Sequence, residues 1–144
     1  MIVSRAHRSD AGRLARIMFY AVRDGATHYS VAERRAWAPK RKGAKDFTKL
    51  IRRQEVWVAR SVQGPIGFIA LRPDGYVDLI FILRHARGKG VFGRLLSCVD
   101  DRARTVHASL HAEPAFARHG FQVVHREAVP RFGQLLRRAY MVRP

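Results

Sequence analysis

The chain has 144 residues, one cysteine, and 28 Lys and Arg against 11 Asp and Glu, for a formal charge of +17. At that length a single domain over residues 1–144 buries a core without disulfide or metal support, and a lone cysteine excludes an internal disulfide. No apolar run approaches a membrane span and the first eight residues carry charge, so a cytoplasmic protein with no membrane partner is expected.

Ile2 to His7 reads as a short strand, and Ser9 as the cap of a helix whose Leu14, Ile17, Met18, Ala21 and Val22 share one face. Gly25 is placed to end that helix. Ser30-Val31-Ala32-Glu33 is a capping box, so a second helix starts there and stops near Pro39. Asp46 is expected to cap a third, with Phe47, Leu50 and Ile51 turned inward.

Val56 to Val62 and Ile66 to Leu71 alternate about the turn Gln63-Gly64. Pro73-Asp74-Gly75 is another turn signal, and Tyr76 to Leu83 reads as a mostly buried strand that completes an antiparallel meander. Val91, Phe92, Leu95, Leu96 and Val99 then mark one face of a helix running to about Arg104. A strand from Val106 to Leu110, a short helix from Ala112 to His119, and strands from Phe121 to Val129 and Leu135 to Val142 complete the chain. Cys98, Trp37 and Trp57 sit in apolar patterns and read as packing residues.

The segment Arg87-Gly88-Lys89-Gly90-Val91-Phe92-Gly93 lies between a strand and a helix. Its glycines let backbone approach a ligand, and the free N–H groups and dipole of the following helix make the turn an anion site. Gly88, Gly90 and Gly93 fit the Gly-x-Gly-x-x-Gly spacing, yet the strand at His107 to His111 lacks the acid that a dinucleotide site needs. A P-loop is excluded because no Gly-Lys-Ser/Thr follows. Taken alone, the segment is either a phosphate cradle or an ordinary strand-to-helix connection.

Arg87, Gly88, Lys89 and Gly90 resemble motif A of the GNAT acyltransferases, Arg/Gln-x-x-Gly-x-Gly/Ala, with Phe92 departing from it where glycine or alanine is usual. His28-Tyr29-Ser30 through Trp37-Ala38-Pro39, Val77 to Ile82, and Ala115-Phe116-Ala117-Arg118-His119-Gly120-Phe121 resemble further blocks of one branch, the small bacterial YafP-like N-acetyltransferases. The resemblance implies an α/β fold in which a mixed, mostly antiparallel seven-stranded sheet is flanked by helices. It implies direct transfer of acetyl from acetyl-CoA to an amine of a small molecule or peptide, with no metal. Pantetheine would bind the backbone of Phe81 and Ile82, and the diphosphate the amides of Gly88, Lys89, Gly90, Val91, Phe92 and Gly93, with Arg87 beside them.

For such a reaction Asp78, the one carboxylate in its strand, is the expected general base, because burial among Ile80 and Ile82 raises a carboxylate's pKa. The alternative is that it pairs with an arginine. The tyrosine that members of the family place four residues before the Gly-Phe turn is replaced by Phe116. Tyr29 is the expected substitute acid, and Tyr29, Ser109 and His111 the expected acceptor-side residues; packing is the alternative for all three. His107 and His111, four apart on a strand, do not converge on a metal. The missing tyrosine leaves open a CoA-binding regulatory module. The charge leaves open non-specific nucleic acid binding or a tRNA-directed protein, and a homodimer is equally open.

Overall fold

The computed structural model describes residues 1–144. The chain runs β1 (Ile2–Arg5), α1 (Ala11–Arg23), α2 (Val31–Trp37), α3 (Ala44–Arg53), β2 (Glu55–Ser61), β3 (Gly64–Leu71), β4 (Tyr76–Ile82), α4 (Val91–Ser97), β5 (Thr105–Ser109), α5 (Glu113–Arg118), β6 (Gln122–Arg131) and β7 (Gln134–Val142). Seven strands form one sheet in the order β1-β2-β3-β4-β5-β7-β6, and only the β4–β5 pair is parallel. The expected fold class holds. No helix is long and apolar enough to cross a membrane.

Two cores lie on the two faces of the sheet. Leu14, Ile17 and Phe47, from α1 and α3, pack on Val56, Val58 and Phe68. On the other face Leu95, Leu96 and Phe116, from α4 and α5, pack on Ile69, Val77 and Met141. Each fully buried large apolar side chain contributes roughly 1.5–3 kcal/mol, so this double burial holds the central strands rigid between helical layers.

Several boundaries differ from expectation for local reasons. A short 3-10 turn at Arg8–Asp10 precedes α1, and Asp10 rather than Ser9 organises the entry. Its carboxylate accepts from the His7 amide at 2.7 Å and receives a two-pronged bond from Arg60, 2.8 Å on each arm. Gly43, not Asp46, occupies the cap of α3, and Asp46 lies in its first turn. The capping box at Ser30 and Glu33 forms as expected. Helix α4 stops at Ser97, but its apolar period continues through the following turns, where Val99 and Ala103 stay buried. There Gly75 O receives the Arg104 and Thr105 amides, which drops the chain into β5. Strands β6 and β7 run further than their sequence patterns suggest; Pro130 is tolerated because β6 is the sheet edge.

The feature that positions the site is the junction of β4 and β5. They pair only at Tyr76↔Thr105 and Val77↔Val106, then part. A bulge lies at the same level, since β3 registers Leu71 with Val77 but Ala70 with Leu79, which leaves Asp78 as the extra residue. From Asp78 to Ile82 the β4 edge that faces β5 has no strand partner, so its backbone donors and acceptors stay open to a ligand.

Candidate active site

Two cavities meet where β4 and β5 part. One, of about 550 Å³, is lined by the glycine turn, with Ile82, Phe92, His111 and Arg118. The other, of about 400 Å³, is lined by Tyr76, Asp78, His107, Arg131 and Arg138 among others. Trp37, Ile80, Phe81, Ser109 and Ala112 border both. A two-part ligand can therefore reach from the glycine turn to the polar pocket through the gap between the strands.

The glycine turn is built for close approach. Gly88 and Gly90 have φ of 75° and 80°, and Gly90 directly precedes α4. A Cβ at either would meet no atom within 4 Å. Left-handed backbone, not crowding within the fold, is what asks for glycine here, and the space above the turn is open. Lys89 is exposed beside it. Val91 is buried in the core, so only its amide is available to a ligand. Phe92 turns its ring onto Phe116, with centroids 5.0 Å apart and edge-to-face, and onto His119 at 5.7 Å. That accounts for a bulky residue where the motif usually has glycine or alanine. Gly93 sits inside α4, 3.4 Å (from an added Cβ) short of His119.

Arg87 does something other than expected. Its guanidinium donates to the carbonyls of Gly25 and Ala21, and burial holds its pKa below the usual arginine value. It ties the glycine turn to the end of α1, so the side chain is an anchor for the loop and not a free phosphate ligand. Phe81 likewise spends its ring on Phe68 and Trp37, at 6.0 and 6.1 Å, and offers only backbone to a ligand. Ile82 pairs with Gly67 on the β3 side, leaving its other edge open.

The polar candidates divide sharply. Tyr29 is 4% exposed; its hydroxyl donates to Arg137 O at 2.5 Å and accepts from the Leu110 amide at 2.9 Å. Both functions of that oxygen are used in stapling the segment before α2 to β7 and to Leu110, just past β5, an arrangement that favours the packing alternative over the expected role as proton donor. Asp78 lines the smaller cavity, but its oxygens accept from Gln54 at 2.8 Å and Arg72 at 2.9 Å. The apolar setting expected for it is absent, and the bulge breaks the alternation that was to place it with Ile80 and Ile82. Ser109 borders both cavities, and its Oγ accepts from the Ala112 amide at 3.1 Å. His111 lies in the larger cavity rather than the smaller one, with Nδ1 3.4 Å from that of His28. Burial, then the charges of Arg87 and His28, lower its pKa to about 4.

Sequence reasoning missed one cluster. Tyr76 Oη and His107 Nδ1 are 2.7 Å apart, and His107 Nε2 stands 3.8 Å from Glu127, which Arg138 also contacts at 3.1 Å. Burial, then the nearby Arg138 charge, depress the His107 pKa below its ordinary value. The signal was present in the alternation of β5: His107 and Ser109 point to one face, opposite Tyr140 and Arg138 of β7. Which strands would flank β5 was not readable from spacing.

The splayed sheet, the glycine turn and the junction of two cavities make a site open to a long ligand with an anionic end, as in an enzyme that joins a nucleotide-bearing cosubstrate to a second substrate. The chain belongs to the GNAT acetyltransferase family: the model of the GNAT acetyltransferase domain matches residues 25–132. It is 33% identical over 116 residues to the uncharacterized N-acetyltransferase YafP of Escherichia coli K12, covering 79% of this chain and 75% of that one. Its fold is similar to that of a GCN5-related N-acetyltransferase from Rhodopseudomonas palustris, with a TM-score of 0.88 at 23% identity, over 99% of this chain and 94% of the other. It is similar too to YncA of Salmonella typhimurium, a putative acetyltransferase solved with its cofactor acetyl-CoA, with a TM-score of 0.72 at 18% identity over 98% and 91% of the two chains. The protein is an acetyltransferase that uses acetyl-CoA.

Proposed function

We propose that the enzyme acetylates a primary amine of a small molecule or peptide, with acetyl-CoA in the larger cavity and the amine in the smaller. The observation that carries this reading is the shared border of Trp37, Ile80, Phe81, Ser109 and Ala112, where a thioester from one side meets a nucleophile from the other. Backbone amides of Gly88 to Gly93 hold the diphosphate, and the open edge of β4 holds pantetheine through Phe81 and Ile82.

The amine must be neutral to attack the thioester carbonyl, and the thiolate leaves as the amide forms. His107 takes the amine proton: its depressed pKa keeps the ring neutral near pH 7, and Tyr76 fixes the ring. His107 stands one alternate position from Ser109, roughly 7 Å along the same face of the strand. Ser109 has a hydroxyl proton with no acceptor within the fold and donates it as a hydrogen bond to the departing sulfur. Phe116 cannot do this, since it has no hydroxyl and is fully buried.

The test is calorimetric titration with acetyl-CoA, with ATP as the polyanion control, followed by thiol release against an amine panel for His107→Gln and Asp78→Asn. Saturable binding that ATP does not reproduce, and a far larger rate loss in His107→Gln than in Asp78→Asn, are expected. The reverse order would return the base to Asp78.

A further inference from the structure

We propose that the accepted amine carries an anionic group, a carboxylate or a phosphonate, and that arginines of the smaller cavity hold it. This rests on the acetyltransferase reading above. Arg72, Arg131, Arg137 and Arg138 line that cavity, and Asp78 is the one carboxylate that does.

The pairing within the cavity leaves positive charge over. Asp78 is taken by Arg72, and Glu127, just behind, by Arg138. Arg131 and Arg137 form no ion pair, and the Arg131 side chain donates only to its neighbour Pro130 O. Arg138 stands opposite Ser109 in register, beside the gap where the thioester arrives. Its Nε is shielded from solvent with no acceptor. A buried N–H without a partner is unfavourable, and an incoming oxygen anion relieves it after a small shift of the side chain. Guanidinium forks also match carboxylate and phosphonate oxygens in geometry.

The same charges act on the amine. An ammonium group is disfavoured beside arginines, so its pKa falls and more of it is the neutral nucleophile. The anion supplies the binding that the cations would otherwise deny an amine. A polycationic acceptor has nothing comparable to hold it.

Two matched pairs of amines test this: 2-aminoethylphosphonate against ethanolamine, and β-alanine against its amide. The expected result is kcat/KM about ten-fold or more higher for the anionic member of at least one pair, equivalent to one strong charge-assisted contact. Which pair responds tells phosphonate from carboxylate. In Arg138→Gln, and independently in Arg131→Gln, that ratio shrinks to about two-fold or less while acetyl-CoA affinity holds. Arg53→Gln, an exposed arginine of α3 outside both cavities, removes the same charge and leaves the ratio intact. Equal or better turnover of the neutral members overturns the inference, as does an equal loss of preference in Arg53→Gln. Transfer to no member despite bound acetyl-CoA counts against the acetyltransferase reading itself and takes this inference with it.

Discussion

Tyr76 and His107 share a 2.7 Å hydrogen bond at the level where β4 and β5 stop pairing. This places a neutral imidazole at the mouth of the gap, and its pKa, lowered by burial and by Arg138, makes a testable pH profile. As pH falls below the ordinary histidine value of about 6.5, the ring stays neutral longer than a free one. The acid limb of kcat/KM is expected below that value. His107→Gln should abolish the limb and lower kcat by about 10²–10⁴-fold, with acetyl-CoA affinity unchanged. An unaltered limb in the variant removes His107 from the reaction.

Gly90→Asp is expected to abolish acetyl-CoA binding with the fold retained. The added Cβ finds open space, so nothing in the protein resists it, and aspartate tolerates the left-handed backbone better than most residues. The new carboxylate, however, lies where the diphosphate is proposed to sit. Gly90→Ala separates the two effects: it carries the backbone cost of about 1–2 kcal/mol but no charge, and should weaken binding much less. Equal affinities in both variants would move the diphosphate elsewhere.

Tyr29→Phe should cost about 1–3 kcal/mol of stability, because the Leu110 amide and Arg137 carbonyl each lose a partner in a buried place. Turnover per folded molecule should change little. A kcat loss beyond ten-fold without a stability loss would restore Tyr29 as a proton donor.

The elements of this fold were legible because each carries local punctuation. The Ser30 and Glu33 box, the turn at Gln63-Gly64 and the glycine turn at residues 88–90 all stand where their sequences say. The backbone of the proposed cradle was legible for the same reason, since left-handed glycines before a helix are a feature of one short segment. What escaped depends on partners distant in sequence. Arg87 looked like a phosphate ligand until Gly25 and Ala21 stood beside it. Asp78 looked like a buried base until the bulge and Arg72 were seen. His107 acquired a role only through Tyr76, 31 residues earlier, and Glu127 from a strand on the far side of β7.

Phe132 sits at the tip of the β6–β7 turn with φ of 45° and 77% of its surface exposed. A bulky residue there bears a left-handed backbone cost with little burial to offset it. Phe132→Asn is expected to raise stability by about 0.5–1 kcal/mol, a shift of a few degrees in Tm. If Tm is unchanged or falls, the left-handed backbone at Phe132 does not cost the fold what its geometry implies.

His111 ties stability to pH through the larger cavity. Its folded pKa of about 4, set by burial and then by Arg87 and His28, lies below the unfolded value of about 6.5. The unfolded chain therefore binds the proton first as pH falls. This contribution to stability is complete above pH ~6.5 and is lost progressively toward pH ~4, by at most about 2 kcal/mol at pH 5. His111→Gln should flatten the stability curve in that window, measured by denaturant unfolding at several pH values. Bound acetyl-CoA adds a second readout, because phosphates seated at the glycine turn as proposed would bring negative charge to the cavity that His111 lines. Negative charge nearby favours the imidazolium, so the ligand should raise the His111 pKa and binding should take up a proton as pH falls toward 5. Calorimetry in buffers of different ionisation heat counts that proton. No uptake in the wild type, or the same uptake in His111→Gln, would place the phosphates away from His111.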